Sequence, residues 1–422
     1  MDRIENGGKY MKKVAIIGAG AAGCMAAYFA AENGAEVTVF EKNNMIGKKL
    51  RITGKGRCNI TNASDIEDII SNIYRNGNFM YSALYSFTNE DLMNLFESNG
   101  LKLKVERGNR VFPKSDKAID VVRTLEKILD SKKVKIRFNS EVKEVLVENK
   151  KISGIKLKDN TKFICDSVIV TTGGISYPLT GSTGDGLKMA RELGHTTTRI
   201  KPALVGMETI EKPYREMVGL NLRNIGIRLT KNGKKIYDDF GEMEFRDYGV
   251  DGPTVKSASC FVEDTNKDKY ILILDMKPAL SKEKLDLRIQ RDFKKYMNKK
   301  YENSLKDLLP AAIIDFVIDK SEIDRMKPVH QITKEERKKL VETIKEYHFN
   351  IKKIRPIEEA IVTSGGIETN EINPSTMESK IIKGLYFAGE VIDVDTYTGG
   401  YNLQVAFSTG YLAGKSSSEK NN

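Results

Sequence analysis

Gly18, Gly20 and Gly23, spaced G-x-G-x-x-G and followed eighteen residues later by Glu41, are of the types and spacing that could hold a dinucleotide. Gly18 would make a tight turn, Gly20 would let backbone approach a pyrophosphate, and Gly23 would let a helix pack closely on a strand. The positive end of that helix, entered through Ala21 and Ala22, would face the phosphates. Glu41 could accept hydrogen bonds from both ribose hydroxyls, with Lys42 beside it. A lone glycine triplet is a weak sign. Here the apolar run Val14–Ile17 precedes it, Ala22, Met25, Ala26, Phe29 and Ala30 keep the helical period after it, and a second run, Glu36–Phe40, leads to the acid. The pattern points to an adenine dinucleotide without separating NAD from FAD.

Three further segments bear on that choice. In Gly47–Asn62, five basic residues fall within ten positions with no acid among them, so Lys49 and Arg57 could serve an anion. Gly54 and Gly56 would admit a flat or phosphorylated group, and Asn59 and Asn62 could bond a ring edge. The apolar run Ser167–Thr172 ends on Gly173-Gly174 and opens a loop of glycine and hydroxyl residues that reaches Gly186. Backbone there could come close to a ligand. In Gly389–Asn402, Glu390 could hold a ribityl chain, and Gly399-Gly400 precede a helix whose start, Tyr401 and Asn402, could face a flavin N1/C2=O edge. These segments favour FAD, with NAD(P)H as a transient electron donor because no second glycine fingerprint is present. Cys58, Tyr177 and Tyr397 are the candidate proton donors.

The elements needed to position these residues come from both ends of the chain. We expect residues 1–10 to be a disordered leader, with Met11 as an alternative start, and 11–200 to be the first part of an FAD-binding domain. A β-rich insert spans 201–278, a helical insert 279–352, the second part of the FAD domain 353–414, and a disordered tail 415–422. Lys133–Phe138, Val142–Val147, Ile152–Leu157 and Lys162–Cys165 read as strands of a small antiparallel meander. In the insert, β-like runs at Gly226–Thr230, Lys235–Tyr237 and Tyr270–Asp275 are punctuated by turns at Asn232-Gly233 and Asp251-Gly252-Pro253. Residues 281 to 348 read as helices broken at Pro310 and Pro328. Glycine-rich site chemistry returns at Thr363-Ser-Gly-Gly366. Substrate would bind at the domain junction.

Composition narrows the classes. The chain of 422 residues is long enough for two or three domains and carries no run of about twenty apolar residues that could span a membrane. With no secretory signal either, a cytoplasmic protein with no membrane partner is expected. Four scattered cysteines form no C-x-x-C pair, and three histidines offer no metal-ligand spacing, so neither a metal site nor a Ser-His-Asp triad is expected. The formal charge of +11 fits either a lysine-rich surface or a polyanion partner. Ser281–Lys300 holds eight cations against three acids, interleaved with Phe293, Tyr296 and Tyr301, whose helical spacing fits a core better than a stacking surface.

Taken together, Gly47-Lys-Lys-Leu50, Thr53-Gly-Lys-Gly-Arg-Cys-Asn59 with Thr61-Asn62, Arg110-Val-Phe-Pro113, Thr172-Gly-Gly174 with Ser176-Tyr-Pro178, Gly181–Gly186, Thr376-Met-Glu-Ser-Lys380 and Gly384–Gln404 resemble the BaiN/YhiN-like FAD-binding flavoproteins. The resemblance runs from Lys12 to Gly414. It implies an α/β fold, a Rossmann-like two-dinucleotide-fold FAD domain split between the chain ends, with a β-barrel-like and a helical insert. Where the family often has Thr-His-Tyr-Gly-x-Ser-Gly-Pro, this chain has Arg246–Pro253 with Arg, Asp and Asp at the departing positions. Relatives imply reduction of a conjugated C=C bond in 3-oxo bile-acid-type enones, dihydrouridine formation in ribosomal RNA, or aminoacetone oxidation. The first two share hydride addition to the β-carbon of an unsaturated carbonyl and protonation of the α-carbon.

Overall fold

The computed structural model describes residues 11–419, so the expected leader at 1–10 and the last three residues of the expected tail lie outside it. The chain divides into two compact units, one from the segments before Pro202 and after Glu359, the other Pro202–Glu359.

The first unit is built on a five-stranded sheet in the order Leu385–Phe387, Ser167–Val170, Lys13–Ile17, Glu36–Phe40, Lys135–Arg137, every neighbouring pair parallel. The middle strands read as continuous apolar runs because both faces are covered, and all four residues of Ser167–Val170 are buried. Lys135–Arg137 corrects the sequence reading: it is the edge strand of this sheet, not part of the meander. The reason is the helix Ala118–Ser131 before it, whose face Val121, Val122, Leu125, Ile128 and Leu129 is buried. It turns the connection into a parallel crossover. Val142–Glu148, Lys151–Leu157 and Lys162–Ile164 form the meander by themselves.

The first helix, Ala21–Glu32, packs along the last, Tyr401–Ser418. A Cβ on Gly410 would lie 2.4 Å from the Ala22 carbonyl oxygen, and one on Gly414 2.4 Å from that of Ala26. The two backbones touch through these small residues. This corrects the expected tail as well, since the helix continues through 415–418 with Ser417 and Ser418 buried and both hydroxyls donating to the Gly414 carbonyl. Serines that bond back into their own helix bury cheaply, so polarity alone misplaces its end.

The second unit is a closed six-stranded barrel in the order Met207–Thr209, Gly249–Asp251, Lys234–Arg246, Asn221–Lys231, Tyr270–Asp275, Tyr347–Ile354. Its long hairpin turns at Asn232-Gly233, both with positive φ (52° and 82°), the geometry such a pair favours. The closing strand Tyr347–Ile354 lies partly in the region read as helical. Tyr347, Phe349 and Ile351 are buried and alternate with His348 and Asn350, a strand period too short to stand out beside the preceding helix. Pro253 opens the helix Pro253–Ser259 where a turn was expected, its fixed φ suiting the first helical position. Lys282–Lys295, Ala311–Ser321 and Lys334–Lys345 are helices between the fifth and sixth barrel strands. Among the described residues no helix is long and apolar enough to cross a membrane.

Candidate functional site

The ends of the parallel strands carry the first cluster. Gly18 has φ +101°, and a Cβ there would meet the Thr171 carbonyl oxygen at 2.9 Å. A Cβ on Gly23 would fall 2.0 Å from the Gly18 oxygen and 2.6 Å from Thr171 Oγ1. Gly20 differs: no atom lies within 4 Å of a Cβ built on it. Gly18 and Gly23 are therefore required by packing, whereas Gly20 keeps open the space before the helix. That helix has no side-chain cap and no acid in its first turn, leaving its N–H groups available to an anion. Ala21 is buried at the first turn, and Ala22 faces Gly389 and Gly410. Glu41 braces the turn: Oε2 accepts from Ala19 N at 2.8 Å and Oε1 from Asn43 N at 2.8 Å. Lys42 is tied to Asp185 at 2.6 Å.

Glu390 is the hub of the second cluster. Lys49 Nζ meets its Oε2 at 2.7 Å, while the Thr363 amide and Ser176 hydroxyl donate to Oε1 at 2.8 and 3.2 Å. Thr363 Oγ1 in turn accepts from the amides of Ile175 and Ser176 at 2.7 and 3.0 Å, and a Cβ on Gly174 would strike it. Sequence reading gave Thr363 and Ser176 no role, although the Thr363–Gly366 run carried the signal. Gly173, with φ +73°, lies against Ser182 and Glu390, and the buried Thr172 Oγ1 next to it has no hydrogen-bond partner.

The start of the last helix forms the third cluster. Gly400 has φ +104°, and a Cβ there would sit 2.3 Å from the Thr61 carbonyl oxygen; Gly399 backs onto the Tyr401 ring. This helix also lacks a side-chain cap and a first-turn acid. Asn62 donates to the Gly399 carbonyl at 3.1 Å, and Asn402 to that of Tyr397 at 3.3 Å. The buried Asn59 Oδ1 has no hydrogen-bond partner.

The candidate proton donors and Arg57 fare unevenly. Cys58 is fully buried with φ +60°, and burial pushes its thiol up to about 11. Tyr177 is half-buried in a left-handed conformation, and burial raises its hydroxyl above the ordinary value. The Tyr397 ring packs on Tyr74 at 5.1 Å. Arg57 is not drawn into these clusters: it pairs with Glu106 and Asp116 and stacks on Phe112 at 4.1 Å. Arg57→Ala is expected to leave the affinity for FAD within roughly a factor of three, measured by flavin fluorescence titration, since an exposed ion pair carries little energy.

Sequence reading also passed over a pair of acids. Asp393 and Asp395 are 4 % and 2 % exposed and share Arg75, which stands 3.4 Å from Asp393 Oδ1 and 3.7 Å from Asp395 Oδ2. Ser364 donates to Asp395 Oδ2 at 2.6 Å. Burial pushes Asp395 up to about 6, and it raises Asp393 as well. Both acids lie in the Gly389–Asn402 segment; only folding shows that they are buried together.

The three clusters fit FAD. Two uncapped helix starts suit the pyrophosphate and an electron-rich ring edge, the open space at Gly20 admits a phosphate, and the orphaned oxygens of Asn59 and Thr172 await polar partners. A parallel sheet with glycine turns at these strand ends is the Rossmann arrangement for a dinucleotide. The chain belongs to the HI0933-like family, whose model, HI0933-like protein Rossmann domain, matches residues 12–416. It is 30% identical to the 3-dehydro-bile acid delta(4,6)-reductase of Clostridium scindens, over 97% of this chain and 100% of that one. It is likewise 30% identical to the ribosomal RNA dihydrouridine synthase of Haemophilus influenzae, over 96% of this chain and 98% of that one. A variant of E. coli quinol fumarate reductase shares the fold, with a TM-score of 0.50 at 17% identity over 97% of this chain and 70% of that one.

Proposed function

We propose that the chain is a cytoplasmic, NAD(P)H-driven reductase of a small molecule with a C=C bond conjugated to a carbonyl, of the 3-oxo steroid or bile-acid type. Bound FAD would supply the electron pair. Gly18, Gly20, Gly23 and Glu41 would hold its ADP half, and Lys49, Asn59, Glu390, Gly400 and Asn402 its flavin end. Full-length similarity supports this chemistry but is the same toward a steroid-type reductase and an RNA-modifying relative.

The observation that favours a small molecule is the state of the basic run. Lys282 pairs with Glu346, Arg288 and Arg291 with Asp292, and Lys295 with Asp307. Phe293, Tyr296 and Tyr301 are buried, with 9 %, 8 % and 0 % of their surface exposed. With half of its cations held by neighbouring acids and its aromatics turned into a core, the run makes a poor track for phosphates and bases.

The test is anaerobic reduction of the FAD-loaded protein by NADH or NADPH, then reoxidation by a 3-oxo-Δ4 steroid, an unmodified ribosomal RNA fragment, or air. Fast reoxidation by the steroid is the expected result. Reoxidation by RNA alone would make the protein a uridine reductase, and by air alone an oxidase.

A further inference from the structure

We propose that Asp393 and Asp395 hold one proton between them and form the store from which the reaction's proton is drawn, an inference that rests on the C=C reductase reading. Two carboxylates this deeply buried face one guanidinium, and neither contact, at 3.4 and 3.7 Å, is a close ion pair. One cation leaves one negative charge uncompensated in a dry place, and taking up a proton is the least costly remedy. The remaining neighbours leave burial as the largest influence on both acids. Ser364 and Asn76 donate to the pair as neutral groups, Asn76 at 3.3 Å to Asp393 Oδ2, and Asp393 Oδ1 makes no hydrogen bond. Thr198 adds a neutral hydroxyl to Asp393 and Glu368 opposes its charge, while Lys201 is a further cation that lowers Asp395, with less effect than burial, Ser364, Asp393 and Arg75. The two acids titrate as a unit, with one proton lost well above the other.

Their placement links them to the candidate site. They lie on the stretch that runs from Glu390 to Gly400. Ser364 follows Thr363, which holds the Ile175-Ser176 amides, and Arg75 follows Tyr74, whose ring packs on Tyr397. Reducing a C=C bond adds two electrons and two hydrogens. One hydrogen comes with the electron pair from the reduced flavin; the other is a proton, lost by the Asp pair and restored from solvent on the side of Arg75, which is 39 % exposed. The Asp pair is a positioning and storage device, distinct from whichever group touches the substrate.

Infrared spectra of the FAD-loaded protein with labelled aspartate, taken across pH, read the stored proton without turnover. The wild type should show a protonated-carboxyl band at about pH 5, fading as pH rises through about 6, that Asp395→Asn and Asp393→Asn each abolish. In Arg75→Met, which leaves both acids in place, the band should persist about one pH unit or more higher. In stopped flow, Asp395→Asn should slow reoxidation by the enone at least about tenfold at about pH 5.5, where the wild-type pair holds its proton, while leaving reduction by NAD(P)H unchanged. Absence of the band in a wild type that an enone reoxidises would overturn the store alone, as would reoxidation of Asp395→Asn at the wild-type rate. A band in a wild type that no enone reoxidises would overturn the reductase reading and, with it, the assignment of this proton to that reaction.

Discussion

Gly20→Leu is expected to give a folded but colourless protein, whereas Gly23→Ala should fail to fold. A side chain at Gly20 meets no protein atom within 4 Å, and its φ of −80° is one that leucine adopts without strain. The change should barely move the melting temperature of the apoprotein. It places apolar bulk where the uncapped helix start would receive a pyrophosphate, and an affinity loss of at least about 3 kcal/mol, roughly a hundredfold or more, is expected. At Gly23 even a methyl group would lie 2.0 Å from a backbone oxygen that cannot move without breaking the first turn. Visible absorbance of the purified protein and a circular-dichroism melt separate the two cases. A yellow Gly20→Leu protein with wild-type FAD affinity would refute the pyrophosphate site.

The second large effect is on stability, and it depends on pH. Asp395 is pushed up to about 6, so between the ordinary aspartate value near 4 and about 6 the folded chain keeps a proton that the unfolded chain has lost. More protons bound in the folded state means that stability falls as pH rises through this window. The loss is complete above about pH 6 and amounts to roughly 3 kcal/mol, since each tenfold difference in proton affinity between the folded and unfolded chain is worth about 1.4 kcal/mol. Asp395→Asn keeps the shape and never ionises. It should therefore unfold at higher denaturant concentration than wild type at pH 8, with the difference shrinking toward zero near pH 4. Equal midpoints at pH 8 would show that the carboxylate is not buried at this cost. A stabilised variant that also turns over slowly would show stability given up for function.

The site was unevenly legible in the sequence. The glycine turn, the acid that closes it and the helix start at Gly400 could be read because each depends on residues close in the chain and on backbone geometry that few residue types allow. The partners of Glu390 and Asp393 could not be read in the same way. Glu390 is joined to Lys49 across 341 positions, and Asp393 meets an arginine more than three hundred residues away. Periodicity likewise found the buried parallel strands but missed Tyr347–Ile354, whose eight residues depend on pairing with Tyr270–Asp275 and Met207–Thr209 for their place in the barrel.

By itself the sequence determined the glycine turn after the first strand, the helix start at Gly400 and a first unit built from both chain ends, because local backbone sterics and apolar period are written residue by residue. Only the tertiary structure decided that Arg57 is held by Glu106 and Asp116, that half of the cations in the basic run pair with neighbouring acids, and that two buried acids share one arginine. Burial and charge pairing are properties of what surrounds a residue, and folding brings those surroundings from distant parts of the chain.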